Sequence, residues 1–544
     1  MDSYKSDSGD IRVADITIAQ LSRGLYRSTA TVFKELVSNA HDADATIVRI
    51  DTNYPEFDFI SCVDDGTGMP LAGFKRFFSD VGIGSCIKRK HGKDVTDIYK
   101  RPIIGRLGIG ILAVGQLCHS FEIESHYKDK DGKGRAFKAN IILSDVTIPD
   151  KEKVLRDDDT KKKEIEVGKW EYEEIPYDKT KKGFRIYSSD VRSTFRNEMK
   201  SSIGEKERER LSFSLSDLHS EFYDKSKKSI RDCKPYLESI WELATLIPVP
   251  YYGKKEESPI SLASFTSKEK RSDEFKKTIK FMRDRQQQLL NENFRVIFDG
   301  IELRRHIQLP TEEDTISKLY FVEFNNTVLD SRLKFSGYLF AQVPRAIIPL
   351  ELNGVQIRLR GVGVGGYDHT FLKYYEEIET VRSKWVSGEI FVDKGLEEAL
   401  NIDRDSFNEH DEHFKKLQSV LHEKLNPVFD EINGIARECS EEKRDERDNE
   451  LRENLRKIVA EKSNKKFKLL QRDLGEAAPI VTVDKGRGVI ILNKSARPLK
   501  RKKPDMIIRA VMLAYHIAKH TTKNEVEREV KFRQLVGAIL GELA

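Results

Sequence analysis

The sequence predicts an α/β protein of three or four domains, and three observations support this fold class. Its 544 residues are too many for one compact core, since a domain usually takes ~100–200 residues. Helical segments alternate with short β-rich runs from about residue 11 to residue 190. The alternation returns between residues 294 and 407, after Pro248-Val-Pro ends a helical stretch. Two larger α/β domains are therefore expected.

The composition excludes several classes of protein. Lys and Arg (95) nearly balance Asp and Glu (90), so the net charge of +5 does not by itself indicate nucleic-acid or membrane binding. The charged fraction of 34% instead indicates exposed helices and long loops. The five cysteines are scattered without a CxxC pair, which argues against a disulfide framework and a zinc site. No signal peptide or apolar run of ~20 residues is present, so a cytoplasmic location is expected.

The order of these patterns predicts the domain organisation. Two charged stretches, 88–100 and 150–182, are predicted to be exposed loops, with the second a candidate insertion. Asp299-Gly300 between two apolar runs predicts a type I′ hairpin. Apolar residues then recur every three or four positions from Phe414 to Ile435, as in an amphipathic helix. The predicted units are a first α/β domain (1–195), a helical connector (196–247), a middle α/β domain (248–410), a helical segment (411–475) and a small C-terminal α/β unit (476–544).

The first motif with chemical content lies on a predicted helix near the N-terminus. Glu35, Asn39 and Asp42 are four and three residues apart, so one helix face carries a carboxylate, an amide and a second carboxylate. Such a face can hold a metal ion and a water together, because Mg²⁺ prefers hard oxygen ligands and keeps several of its waters. The alternative is the exposed polar face of an ordinary amphipathic helix.

The second motif directly follows an apolar strand and reads Asp64-Asp-Gly66-Thr-Gly68-Met69. A carboxylate at a strand end can accept a hydrogen bond from the exocyclic amine of adenine, and glycines let the backbone approach a base closely. A surface turn is the alternative interpretation of this segment alone.

The third motif is a glycine-rich run that precedes an apolar helix. Exposed N–H groups and the positive end of a helix can face phosphate groups. One such run is weak evidence, but the order and spacing of all three motifs within one α/β layer favour a nucleotide site. The residues of this run that we expect to contact nucleotide are Gly105, Leu107, Gly108, Ile109 and Gly110.

Residues 15–190 resemble the GHKL superfamily, named for gyrase, heat-shock-ninety chaperones, histidine kinases and MutL. The resemblance implies a Bergerat α/β sandwich that binds ATP and Mg²⁺, with Glu35 as general base, Asn39 as metal ligand and Asp64 as the adenine-binding aspartate. It also implies nucleotide contacts by Asp42, Gly66, Gly68 and Met69. Further contacts would come from the hinge of a lid, at Gly84, Ser85 and Lys88. Where the family usually has Gly-Thr, this chain has Gly183-Phe184, so one hydroxyl near the base is missing or comes from elsewhere.

A second resemblance concerns the middle domain, which the superfamily implies to be S5-like. Histidine kinases are excluded, because only 34 residues precede Glu35 and none is His. The run from Trp385 to Asp405 resembles the heat-shock-ninety segment that ends in Leu-Asn-x-Ser-Arg-Glu, which places Arg404 at its catalytic arginine. Asn408 falls where that family has a glutamine, so a phosphate contact there is a guess. The alternative for Arg404 is a surface arginine at the start of a helix.

Two functions remain open at this point. A divergent heat-shock-ninety-like ATPase would act as an ATP-gated clamp on protein clients or a partner subunit, closing the lid of residues 79–104 and forming an ATP-dependent homodimer. The runner-up resembles MORC and MutL ATPases and would handle nucleic acid, with defence against foreign DNA as one role. The basic run 498–504 could contact phosphate, but such a cluster is more often a solvated linker.

Overall fold

The computed structural model describes residues 6–14, 28–79, 95–105, 110–143, 164–201, 213–253, 259–312, 314–374, 382–401, 404–462, 468–475, 477–479, 481–484, 486–493, 495 and 504–541. The chain divides into two compact units, Met1–Ile432 and Asn433–Ala544. Both units combine sheets with helices, so the predicted α/β fold class is confirmed. No helix among the described residues is long and apolar enough to cross a membrane.

The first unit contains a nine-stranded sheet in the order β1-β6-β5-β4-β7-β3-β2-β8-β9. Its neighbouring strands are antiparallel except for the parallel pair β2 and β8. The strands are β1 Ser6–Ala14, β2 Ile47–Asp51, β3 Ile60–Asp64, β4 Ser120–Lys128, β5 Gly134–Leu143, β6 Glu164–Ile175, β7 Gly183–Ser188, β8 Arg295–Phe298 and β9 Ile301–Glu302.

The prediction that residues 150–182 form only an exposed loop is wrong in part. Strand β6 lies inside this segment, between β1 and β5. Its dense charge concealed the alternation of a strand, because Trp170 and Tyr172 are buried while charged residues separate them. Strand β1 was not predicted either, and it pairs along its whole length with β6.

Helix α1 (Thr29–Asp42) carries the first motif and packs deeply into the unit. The Ser28 hydroxyl accepts a hydrogen bond from the Thr31 N–H and so caps the first turn. Apolar side chains such as Phe33 and Val37 anchor α1 in the core. The other α-helices of this region are α2 Leu71–Ser79, α3 Ser193–Ser201, α4 Leu215–Phe222, α5 Pro235–Leu246, α6 Ser267–Arg271 and α7 Asp273–Asn291.

The predicted hairpin at Asp299-Gly300 is confirmed, because both residues have positive φ, as a type I′ turn requires, and β8 and β9 pair antiparallel. Sequence analysis placed these strands in the middle domain, yet β8 extends the first sheet by pairing with β2. Parallel pairing between strands that are far apart in sequence leaves no local pattern in the sequence from which it could be predicted. The domain boundaries themselves stay predictions.

A second sheet of five strands has the order β10-β11-β14-β12-β13. Helix α7 packs against its strands β10 and β11. Two runs predicted as strands, 320–324 and 333–342, lie inside a long hairpin, β10 with β11. The strands are β10 Ile316–Val328, β11 Ser331–Val343, β12 Gly354–Leu359, β13 Val362–Asp368 and β14 Val386–Lys394.

Helix α8 (Glu412–Lys462) includes Pro427, and the predicted stripe is buried in the core from Phe414 as far as Ile432, whereas its last residue, Ile435, is half-buried. The second unit contains a three-stranded sheet in the order β15-β17-β16. The two strands and two helices predicted between residues 476 and 544 are present, whereas β15 lies in the segment 411–475 that was predicted to be helical. Its elements are β15 Lys468–Arg472, β16 Val481–Asp484, β17 Val489–Asn493, α9 Pro504–Thr521 and α10 Glu525–Gly541.

Candidate functional site

Glu35, on α1, forms a buried ion pair with Arg404. One guanidinium nitrogen of Arg404, Nη1, lies 3.0 Å from Oε2 and 3.2 Å from Oε1 of Glu35. Glu35 is 2% exposed and Arg404 is 8% exposed, so Arg404 is not a surface arginine. Two residues that are 369 positions apart in sequence, and that we expected to act together, therefore lie in direct contact.

A cavity of about 30 Å³ adjoins this ion pair. Its walls are largely apolar and include Ile104, Val362 and Leu400. The volume can hold about two water molecules. Because Glu35 is buried, its charge interactions are stronger here than at an exposed surface.

The remaining polar residues of α1 have different surroundings. Asn39 is partly exposed, and its side-chain amide makes no hydrogen bond to another described residue. The Asp42 carboxylate accepts hydrogen bonds from the backbone N–H groups of Ile104 (2.7 Å) and Gly105 (2.5 Å). Asn39 can therefore offer its oxygen to a cation, whereas Asp42 holds the start of the glycine-rich run. The Gly105 N–H points to Asp42 in this structure.

Asp64 ends strand β3 and is 8% exposed. Its Oδ1 accepts a hydrogen bond from the Gly66 N–H at 2.8 Å. Burial raises the pKa of this carboxyl to about 7. Near neutral pH the carboxyl therefore populates both its protonated form and its ionised form. The ionised form is the one that accepts a hydrogen bond from an amine.

The glycines after Asp64 allow close packing of the protein backbone. A Cβ on Gly66 would lie 2.6 Å from the Ala43 carbonyl oxygen. Gly68 has a φ of +72°, and a Cβ there would lie 2.5 Å from the carbonyl oxygen of His126. These glycines therefore let the loop pack closely against the end of α1 and against β4. Sequence analysis explained the same glycines by the close approach of a base.

Phe184 occupies the position where the resemblance implied a threonine. It pairs with Asp64 across β3 and β7, and with Ser125 across β7 and β4. Ser125 is fully buried, and its hydroxyl both accepts from the Met69 N–H and donates to the Met69 carbonyl. Ser125 therefore brings a hydroxyl to the end of this motif, which sequence analysis missed because the register of β4 is not visible in the sequence.

Two further carboxylates that sequence analysis did not assign hold the loops of the site. Asp44, in the left-handed region with φ 58°, accepts hydrogen bonds from the N–H groups of Ile98 and Tyr99. Asp65 accepts them from the N–H groups of Thr46 and Ile47. Both are short acidic side chains in turns, which is the signal that could have identified them.

The glycine-rich run is described only at its two ends. Gly105 is its first residue, and Gly110 begins a 3₁₀-helix, Gly110–Gln116, where an α-helix was expected. Ile111 and Val114 of this turn are buried in the core beside α1. The predicted contacts at Gly84, Ser85, Lys88, Leu107, Gly108 and Ile109 lie outside the described residues.

The middle part of the chain also contacts the site through Arg360. Its Nη1 donates to the Ile103 carbonyl at 2.9 Å, and its Nη2 lies 2.8 Å from the Glu397 carboxylate. Asn408 is exposed, and its side-chain oxygen accepts from the His410 N–H. The structure thus brings Arg404 and Arg360 to the first motif and its neighbouring loop, and leaves Asn408 at the surface.

Comparisons with known proteins identify similar sequences for part of the chain. Residues 26–164 match the family model described as "Histidine kinase-, DNA gyrase B-, and HSP90-like ATPase". A protein of Herpetosiphon aurantiacus, named "Putative type II restriction enzyme HgiDII", is 35% identical over 150 residues. This match covers 26% of the present chain and 23% of that relative.

Proposed function

We propose that this chain, whose N-terminal part is a GHKL-type ATPase domain, binds ATP with Mg²⁺ and hydrolyses it to drive a conformational switch. The observation that carries the proposal is the buried ion pair between Glu35 and Arg404. It joins the helix of the ATPase domain to a distant segment of the chain at the two residues expected to perform the chemistry.

Glu35 would act as the general base for the attacking water. In the present arrangement both carboxylate oxygens of Glu35 lie within hydrogen-bond distance of Arg404, so the guanidinium already engages the carboxylate. A γ-phosphate entering the site carries more negative charge and competes for the same guanidinium. Arg404 would then offset charge in the transition state, and Glu35 would be released to accept the proton of water.

The other residues of the site would hold the nucleotide. Ionised Asp64 would accept a hydrogen bond from the amine of adenine, and its burial excludes water from that bond. Mg²⁺, held by the oxygen of Asn39 and by phosphate oxygens, would neutralise charge on the phosphates. The carboxylate of Asp42 would keep the glycine-rich run in place through Ile104 and Gly105.

The first candidate for the work done by the switch is a heat-shock-ninety-like clamp. ATP would close the segment of residues 79–104 over the site and promote contact between two copies of the chain, which then act on a protein client. Support comes from Arg404, which sits where that family's arginine is expected and contacts the general base. Limited proteolysis of this segment with and without a non-hydrolysable ATP analogue tests the closure.

The second candidate is a clamp that handles nucleic acid in defence against foreign DNA. It is favoured by the similarity to a protein named as a type II restriction enzyme, although that similarity covers only 23% of the relative. The two candidates differ in what stimulates turnover. We expect DNA, in a salt-dependent manner, to raise ATPase activity under the second candidate, and an unfolded protein client to raise it under the first.

The hydrolysis itself is tested with the full-length chain. Glu35→Ala should bind ATP without turning it over, because the carboxylate activates water and does not hold the nucleotide. Wild-type turnover by this variant would remove Glu35 from the mechanism.

A further inference from the structure

Lys34, the residue before Glu35, is buried together with an acidic partner from the middle part of the chain. Its Nζ lies 2.8 Å from Oδ1 of Asp405, and the two side chains are 2% and 9% exposed. The same ammonium lies 3.4 Å from the carbonyl oxygen of Arg404. Lysine is rarely buried without a role, and here it contacts both the arginine of the site and its neighbour.

The segment that carries Arg404 is a closed turn. The Asn401 N–H donates to the Ser406 carbonyl, and the Arg404 N–H donates to the Asn401 carbonyl. Arg404 itself has a φ of 55°, in the left-handed region that a side-chain-bearing residue seldom adopts. Its conformation therefore depends on contacts that hold the turn from outside.

A second contact holds the turn on the side of strand β13. Gly365 has a φ of +66°, and a Cβ there would lie 2.7 Å from the Asp405 carbonyl oxygen. The side-chain amide of Gln356 donates to the Gly365 carbonyl at 3.1 Å, which fixes this part of β13. The turn is thus confined between a glycine of the second sheet and Lys34 of α1.

Four charges alternate across this contact. Lys34 and Glu35 are adjacent on α1, Arg404 and Asp405 are adjacent on the turn, and each pairs with the opposite charge of the other segment. Loss of the Lys34 charge would leave the Asp405 carboxylate buried without its partner. A buried unpaired charge is costly enough to displace the turn, and a shift of about 1 Å can cost on the order of 10²-fold in rate.

We propose that Lys34 is a positioning residue, which sets Arg404 relative to Glu35 by pairing with Asp405. This inference rests on the proposed function, since it concerns the same ATPase site. It adds that α1 holds the turn through two ion pairs of opposite polarity, so that Arg404 is in position when the γ-phosphate enters and draws it away from Glu35.

The test measures kcat, KM and ATP affinity of the full-length chain in Lys34→Met and Asp405→Asn. We expect kcat to fall about 10- to 100-fold in each, with ATP affinity changed less than about 3-fold. The double variant should lose no more than the single variants, because the two residues act through one contact. Exchange of the charges, Lys34→Asp with Asp405→Lys, should recover part of kcat.

The matched control is Lys200→Met, which removes an exposed pair with Glu56 at 2.6 Å in the same compact unit and should leave kcat unchanged. Glu35→Ala in the same assay separates the two proposals, because normal turnover by Glu35→Ala refutes the proposed function. If Glu35→Ala is inactive but Lys34→Met and Asp405→Asn keep wild-type kcat, the positioning role is refuted. Equal loss of kcat and ATP affinity, or unfolding in both variants, likewise assigns the pair a structural role only.

Discussion

Arg404→Ala is the most informative perturbation of this site, because it changes catalysis and stability for different reasons. Arg404 would contact the phosphate mainly in the transition state, so ATP affinity should stay within about 3-fold of wild type. The loss in kcat should be on the order of 10³-fold, as for other arginines that offset charge on a transferred phosphoryl group.

The same change leaves the Glu35 carboxylate buried without its partner. Breaking a buried ion pair from one side costs about 3–5 kcal/mol, and the 2% exposure of Glu35 places it in this class. Removing the carboxylate charge as well relieves the penalty. Glu35→Gln with Arg404→Ala should therefore be more stable than Arg404→Ala alone at pH 7.

The assays are steady-state ATPase kinetics, ATP titration by calorimetry and denaturant unfolding at pH 7. A wild-type kcat in Arg404→Ala would show that the segment of residues 385–405 supplies no catalytic group. The resemblance of this segment to the heat-shock-ninety family would then be accidental. A truncated chain ending at residue 195 is a poor substitute for this variant. It would remove β8 and expose the edge of β2 in the first sheet.

The other predictions concern three carboxylates whose surroundings differ. Glu35→Ala should lose turnover and keep ATP, as measured by calorimetry. Asp64→Asn should lose ATP binding, since an amide presents the wrong partner to the adenine amine in at least one orientation. Burial raises the pKa of Asp64 to about 7, so the fraction of ionised Asp64 increases from pH 6 to pH 8. The affinity of the wild-type protein for adenosine, which has no group that titrates near neutral pH, should increase over this range. Below the pKa of Asp64 the increase should be up to about tenfold per pH unit. A flat profile would contradict ionised Asp64 as the acceptor. Burial alone would raise the pKa of Glu389, but Arg358 and Arg305 outweigh it and lower the pKa to about 2. Its stabilisation is therefore present above its unfolded pKa of about 4.5 and lost as the pH falls towards 2. Glu389→Gln should cost about 3–5 kcal/mol at pH 7, with the difference from wild type narrowing below pH 4 in denaturant unfolding.

The sequence by itself determined the superfamily of the N-terminal part and the chemical types of its site residues. Glu35, Asn39 and Asp64 stand in motifs whose spacing follows from one helix and one strand end, and local geometry of this kind is readable from residue order. The hairpin at Asp299-Gly300 was predictable for the same reason. Arg404 was identified only through the resemblance of its segment.

Only the tertiary structure decided how distant segments meet at this site. The contact of Arg404 with Glu35, the pair of Lys34 with Asp405, and the place of β8 in the first sheet all join residues more than 240 positions apart. Charge density along the chain concealed the strand at 164–175 as well. The physical reason is common to these cases: pairing across a sheet and between buried charges depends on which surfaces the folded core brings together, and no local pattern of side chains encodes that choice.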